Sequence, residues 1–415
     1  MTGATTGDRD GRAGAEGPDV AILGAGPVGL EAALAAADRG WPFTVYEAGS
    51  RPAAHVRRWG HVRLFSPWSM NASARMRTRL AAAGAGVPEG DDCPTGHELA
   101  DRVLDPVAGL SDVASRLRLD TRVLAVGREG LLKHEAIGAS RRAERAFRLL
   151  VRGPDGRERT ERADVVLDCT GTYGNPNALG DGGIPAPGER AAGNRIRRHL
   201  PDVRGEPDHW EGREVLLVGA GHSAQTAARD LAALVGEGTG TRVHWGLRSQ
   251  DPGWQRVEDD PLPERDRLTA RAQELAADPP AGFRVHRGVV VDRLARRNGG
   301  LRVKLRSRDG STETLDVDRV VSLTGYVGDH TLYRQLQVHE CYATSGPMGL
   351  AAELLESGST DCLEQESRGA EVLENPEPEF FILGAKSYGR NNTFLMTTGW
   401  EQVDAVFGAL EERHG

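Results

Sequence analysis

Six residues, Gly24-Ala25-Gly26-Pro27-Val28-Gly29, carry the first chemistry legible in this chain. They follow a short apolar run at residues 19–23 and precede an Ala/Leu-rich stretch at 30–38, so the local order is strand, glycine turn, helix. In that setting Gly24 permits a tight turn, Gly26 lets the backbone approach a pyrophosphate, and Gly29 allows close packing of helix on strand. Pro27 belongs to the same turn, and the helix N-terminus behind it faces the phosphates. The next strand, Phe43–Tyr46, ends on Glu47, at the offset where a dinucleotide fold keeps the acid that binds ribose. In a chain with 53 glycines the string alone is weak evidence; flanked by strand, helix and Glu47 it becomes strong.

The pattern returns at Gly219-Ala220-Gly221-His222-Ser223-Ala224, between the apolar run Glu214–Val218 and a helical stretch at 225–234. This reads as a second nucleotide site. The strand after it, residues 242–245, continues into Gly246-Leu247-Arg248 with no acid at its end. A carboxylate there would repel a 2′-phosphate, whereas Arg248 pairs with one, so NADPH is preferred over NADH.

These turns need domains to position them. At 415 residues the chain exceeds what one core usually organises, and two domains are expected. Hydrophobic residues make up 39% and charged residues 27%, ordinary globular values, and no apolar run approaches the roughly 20 residues of a bilayer span. Residues 1–17 read as a disordered leader without the marks of a secretory signal. Cys93, Cys169, Cys341 and Cys362 are widely spaced with no Cys-x-x-Cys pair, which excludes a dithiol motif and fits a reducing cytoplasm. Only Lys133, Lys304 and Lys386 are lysines, and the net charge of −8 argues against a nucleic-acid partner. The twelve histidines show no metal-ligand spacing, so no metal site is expected. Between the turns lie a helical segment at 98–104, a strand at 121–126 that carries Val123, and a hairpin pairing 147–151 with 163–168 around Pro154-Asp155-Gly156. The charged stretch 133–145 reads as a solvated surface insertion.

Two further apolar strands end in Thr170-Gly171 and Thr324-Gly325. Together with the glycine turns they give an arrangement that resembles the flavoproteins with two dinucleotide-binding domains, a group that includes flavin-containing monooxygenases, Baeyer-Villiger monooxygenases and thioredoxin reductases. The resemblance implies an α/β, three-layer architecture of two Rossmann-like domains, with FAD on the first turn and NADPH on the second. The NADPH domain, residues 201–329, is inserted into the FAD domain, residues 18–200 and 330–415. Phe380 to Gly384 then resembles the strand that returns to cover the flavin, although the group's Gly-Asp pair here reads Gly384-Ala385. Ser387 or Asn391 is expected to replace that carboxylate. The stretch Gly399-Trp400-Glu401-Gln402 is expected to open a helix aimed at the flavin's pyrimidine edge.

Within that group the missing dithiol points to the monooxygenase branch. The aromatic loop from Trp59 through Trp68 to Asn71 resembles the loop that wraps the flavin, and Asn71 is the expected catalytic residue, its carboxamide hydrogen-bonding a flavin hydroperoxide. His199 is what remains of a subfamily fingerprint, and Tyr388, Arg390 and Asn391 are expected near the substrate. The implied reaction takes a small-molecule substrate and dioxygen, with a homodimer left open. Two other readings stand beside it: an NADPH-dependent reductase passing electrons to a protein or quinone, and a nucleotide-binding redox sensor without turnover.

Overall fold

The computed structural model describes residues 17–254, 256–257, 260–357 and 369–415. Most of the expected leader, and Cys362, lie outside the described residues. Two five-stranded parallel sheets organise the chain. The first has the order Phe380–Ile382, Val165–Asp168, Val20–Leu23, Phe43–Tyr46, Leu117–Arg118. The second has the order Phe283–Arg287, Arg242–Leu247, Glu214–Val218, Arg319–Ser322, Ile196–Arg197. Every strand of the second sheet falls in sequence between Val165–Asp168 and Phe380–Ile382, so one unit is inserted into the other. The expected boundary at 200/201 shifts, because Ile196–Arg197 pairs in parallel with Val320 and Val321 and therefore belongs to the inserted unit.

Each unit has three layers, and side-chain alternation along the strands produces them. In the first sheet Val20, Ile22, Val165, Leu167 and Phe381 face the helices Pro27–Asp38 and Met396–His414. Ala21, Leu23, Val166, Phe380 and Ile382 face a three-stranded antiparallel sheet formed by Arg122–Arg128, Phe147–Arg152 and Glu158–Ala163. The second unit repeats the plan. Val215, Leu217, Val243 and Trp245 pack on the helices His222–Gly236 and Pro263–Ala277, whereas Leu216 and Val320 pack on Val289–Arg296, Leu301–Ser307 and Thr312–Val317.

The hairpin differs from expectation in its partner. Its turn at 153–157 is kept, with Gly153 N–H donating to Arg157 O, but Phe147–Arg152 pairs with Glu158–Ala163. Val165–Asp168 joins the central sheet beside Val20–Leu23 instead. The run is fully buried, which suits a central parallel strand with a covered face on each side. The last helix also begins earlier than expected, at Met396, so Gly399 to Gln402 lie inside its opening turns.

The stretch 133–145 is not a solvated insertion throughout. Arg142 within it is 1% exposed and pairs through Nη2 with Glu377 at 2.7 Å, while Arg128 Nε reaches the other oxygen of the same carboxylate at 2.7 Å. Glu377 also accepts from Gln337 N–H, so one buried anion ties four segments together. Replacing Glu377 with Gln leaves two guanidinium groups buried without a counter-charge. The expected outcome is a loss of about 3–5 kcal/mol in unfolding free energy by denaturant titration; a loss below about 1 kcal/mol, the level of an exposed pair, would show that the triad does not hold the loop.

Candidate functional site

The first glycine turn is built as its spacing implies. Gly24 sits at φ +98°, a backbone shape that side chains rarely adopt, and a Cβ on Gly29 would lie 1.9 Å from Gly24 O. A Cβ on Gly26 would meet nothing, because that position faces open space. Pro27 occupies the first turn of its helix, where a missing N–H costs nothing. No side chain caps this helix, so its first N–H groups and its dipole are left for a ligand phosphate. Glu47 braces the turn from the next strand: Oε2 accepts from Ala25 N–H at 2.9 Å and Oε1 from Gly49 N–H at 2.7 Å. Burial pushes its carboxyl upward against the pull of those two donors.

A cavity of about 420 Å³ crosses the carboxyl ends of this sheet, where open α/β sheets bind ligands. The strand order gives it direction. Glu47, Thr121 and Val123 line it near one edge, Gly24, Gly26 and Pro27 line its middle, and Thr170, Gly171, Gly384 and Lys386 line it near the other. His55, Tyr173, Phe394 and Met396 complete that last end. Burial, with smaller contributions from Arg58, His199 and Arg122, lowers His55 to about 4, so the imidazole is neutral at pH 7.

Lys386, which the sequence reading left without a role, is the main surprise of this end. It is 1% exposed, and its Nζ donates to Asp168 Oδ2 at 2.7 Å, Asp329 O at 2.7 Å and Thr170 Oγ1 at 3.2 Å. Lysine is so scarce in this arginine-rich chain that its use here is a signal that could have been weighed. The residues expected to replace the lost carboxylate act elsewhere. Ser387 is fully buried, donating to Gly384 O at 2.8 Å and accepting from Gln402 Nε2 at 3.0 Å, and Asn391 Oδ1 accepts from Thr393. Gln402 does reach the site's backbone, because its Oε1 accepts from Gly384 N–H at 2.7 Å.

The aromatic loop takes another course than expected. Asn71 is fully buried; its Nδ2 donates to Ser66 O and Pro67 O, its Oδ1 accepts from Ser66 Oγ, and it does not line the cavity. Its carboxamide closes a loop turn, which leaves no donor free for a flavin oxygen. Trp59 packs over Gly96, and Trp68 is 6% exposed within the core. The same loop docks on the inserted unit, with the Phe65 ring 5.3 Å from His222 and His61 Nε2 3.1 Å from Pro201 O. Of the residues expected near substrate, Tyr388 is a core residue edge-on to Phe394, and Arg390 is exposed with its guanidinium 3.5 Å from Asn177 Oδ1.

The second turn repeats the first. Gly219 lies at φ +135°, Gly221 opens an uncapped helix, Ser223 is exposed and Ala224 is buried behind it. Arg248 stands exposed past the end of Arg242–Leu247 and forms no ion pair among the described residues. Thr324 and Gly325 lie outside the cavity, where Thr324 Oγ1 donates to Asn177 O at 3.3 Å. The rings of Tyr173, His199 and Tyr326 meet between the units, at 4.6 Å for both contacts of Tyr173.

The family model for pyridine nucleotide-disulphide oxidoreductases matches residues 18–341. The chain belongs to that family. No curated protein matches it. Among solved structures, a bacillithiol disulfide reductase from Bacillus cereus is similar at 20% identity and a TM-score of 0.68, covering 95% of this chain and 99% of that one. An ornithine N-hydroxylase from Kutzneria sp. 744, holding reduced FAD, NADP+ and L-ornithine, is similar at 16% identity and a TM-score of 0.63, covering 96% and 100%. A thioredoxin reductase from T. acidophilum is similar at 14% identity and a TM-score of 0.58, covering 95% and 99%. Reductases and hydroxylases thus share this fold.

FAD and NAD(P)H are the cofactors of the pyridine nucleotide-disulphide oxidoreductases and their structural neighbours, and two uncapped helix N-termini behind glycine turns fit two such dinucleotides. The open space at Gly26 is the place a pyrophosphate requires. Lys386 makes the cavity's far end depend on a buried charge pair. Lys386→Met is expected to strand Asp168, lower unfolding free energy by about 3–5 kcal/mol and weaken FAD retention; a variant with unchanged stability and full flavin content by absorbance would overturn this role.

Proposed function

We propose that this chain is an NADPH-dependent FAD monooxygenase that transfers one oxygen atom from dioxygen to a small molecule. The observation that carries the reading is the lining of the cavity's far end. A disulfide reductase needs a thiolate beside its flavin. Among the described residues the only cysteine on the cavity wall is Cys169, which is 9% exposed, packs at the junction of Gly29 and its strand, and has its thiol pushed up by burial. Beside it the lining brings the neutral imidazole of His55, the Tyr173 ring, Phe394 and Met396 together with the polar Thr170 and the ion-paired Lys386, with no second thiol on that wall among the described residues.

Bound FAD would supply the redox chemistry, accepting hydride from NADPH and activating dioxygen. The protein's own residues do the rest. Gly24, Gly26 and the helix behind them hold the pyrophosphate, Glu47 holds the ribose, and Gln402 fixes Gly384 against the flavin end. Arg248 supplies the cation for a 2′-phosphate on the second dinucleotide. Described cysteines without disulfides and no described helix long and apolar enough to cross a membrane support a cytoplasmic location.

The reductase reading keeps a specific support, the likeness to reductases at TM-scores as high as those of the hydroxylases. Rapid mixing separates them. When protein reduced anaerobically by NADPH meets oxygenated buffer, a spectral transient lasting seconds, unlike either reduced or oxidised flavin, is expected. Single-step return of the oxidised spectrum, with fast quinone or disulfide reduction, would sink the oxygenase reading. Turnover of NADPH in either case disposes of a sensor without catalysis. Given such turnover, amines are the first substrates to try, because hydroxylases of ornithine and cadaverine share the fold. Arg248→Ala is expected to raise KM for NADPH while leaving NADH nearly unchanged, and equal effects on both would remove the 2′-phosphate role.

A further inference from the structure

Tyr173 is the second residue after Thr170-Gly171 in the first unit, and Tyr326 immediately follows Thr324-Gly325 in the second, so the two tyrosines extend corresponding turns toward each other. Their ring centroids are 4.6 Å apart. His199, two residues past the edge strand Ile196–Arg197, adds a third ring 4.6 Å from Tyr173 and 5.8 Å from Tyr326, nearly parallel to the latter at 7°. These separations lie in the range where offset aromatic pairs attract. Tyr326 is itself held, because its hydroxyl donates to Arg198 O at 2.7 Å. Tyr173 also borders the cavity, next to His55 at 5.9 Å.

The strand order assigns that border. The acid and the strand that receive the adenosine half lie toward the opposite edge of the sheet, and the pyrophosphate turn lies in the middle, so the flavin half occupies the end that Tyr173 lines. We propose that Tyr173 forms the aromatic wall for the flavin ring and that Tyr326 and His199 brace it from the inserted unit. The electronic surroundings of the flavin then depend on how the two nucleotide units are joined. The inference rests on FAD binding in this cavity but not on which reaction the enzyme performs.

Fluorescence of the oxidised, FAD-loaded protein tests it without any turnover. A phenol against the ring quenches by giving the photoexcited flavin an electron and recovering it, with no bond made or broken. Tyr173→Phe keeps the ring and its packing but removes the donor, so a several-fold longer flavin lifetime is expected at unchanged FAD content. Tyr173→Trp, a better donor, should shorten the lifetime. Tyr326→Leu retains the phenol but loosens it, and a new long-lived fraction is expected. Tyr173→Phe with full FAD and the wild-type lifetime would overturn the wall, and Tyr326→Leu with the wild-type lifetime would overturn the bracing. A wild-type protein that takes up no FAD would instead count against the cofactor assignment itself.

Discussion

A single ammonium group holds the site's far end together. The chain leaves the first unit just after Asp168 and Thr170 and comes back into it past Asp329, and Lys386 Nζ binds all three. An ammonium has three protons, and each finds an acceptor here, which is the condition under which a charge tolerates burial. Gly328 makes the arrangement sterically feasible, since a Cβ there would lie 2.6 Å from Lys386 Cγ. Exit, return and final strand are therefore fixed relative to one another by one side chain. The path of the inserted unit and the shape of the cavity both follow from it.

What could be read from the sequence was local in origin. Gly24 turns at a positive φ within its own loop and Gly29 clears Gly24 O five residues away, so the need for these two glycines is written in the motif itself. The positive φ of Gly219 and the apolar runs that became central strands are local in the same sense. What escaped was set by distant partners. Nothing near Asn71 tells whether its carboxamide turns to a ligand or to Ser66 and Pro67, and the loop's own hydrogen bonds won. Ile196–Arg197 joins the second sheet through Val320 and Val321, more than a hundred residues away. The buried place of Arg142 depends on Glu377 in the same way.

The hairpin shows how a correct local signal can still mislead. Residues 147–151 and 163–168 both alternate or bury as strands should, and the turn residues between them are right. Yet Glu158–Ala163, with its charged, mostly exposed side chains, is the strand that pairs, because an edge strand of an antiparallel layer may face water on one side. Val165–Asp168 has four buried residues, and only a sheet covered on both faces can accept them.

Fold alone does not select a reaction here, because proteins of both chemistries share it and the glycine turns would serve either. Selection falls to the few side chains at the flavin end of the cavity. Cys169 is present there, but it is buried where helix meets strand, its Cβ 3.4 Å from the position a Cβ on Gly29 would take. Burial disfavours its thiolate, and a thiol held neutral neither attacks a disulfide nor exchanges with one. The remaining wall offers aromatic surface, a thioether and a neutral imidazole beside the polar Thr170, Asn175 and the Lys386–Asp168 pair. With the thiol packed away and the lysine ion-paired, the redox chemistry at that end is left to the bound cofactor.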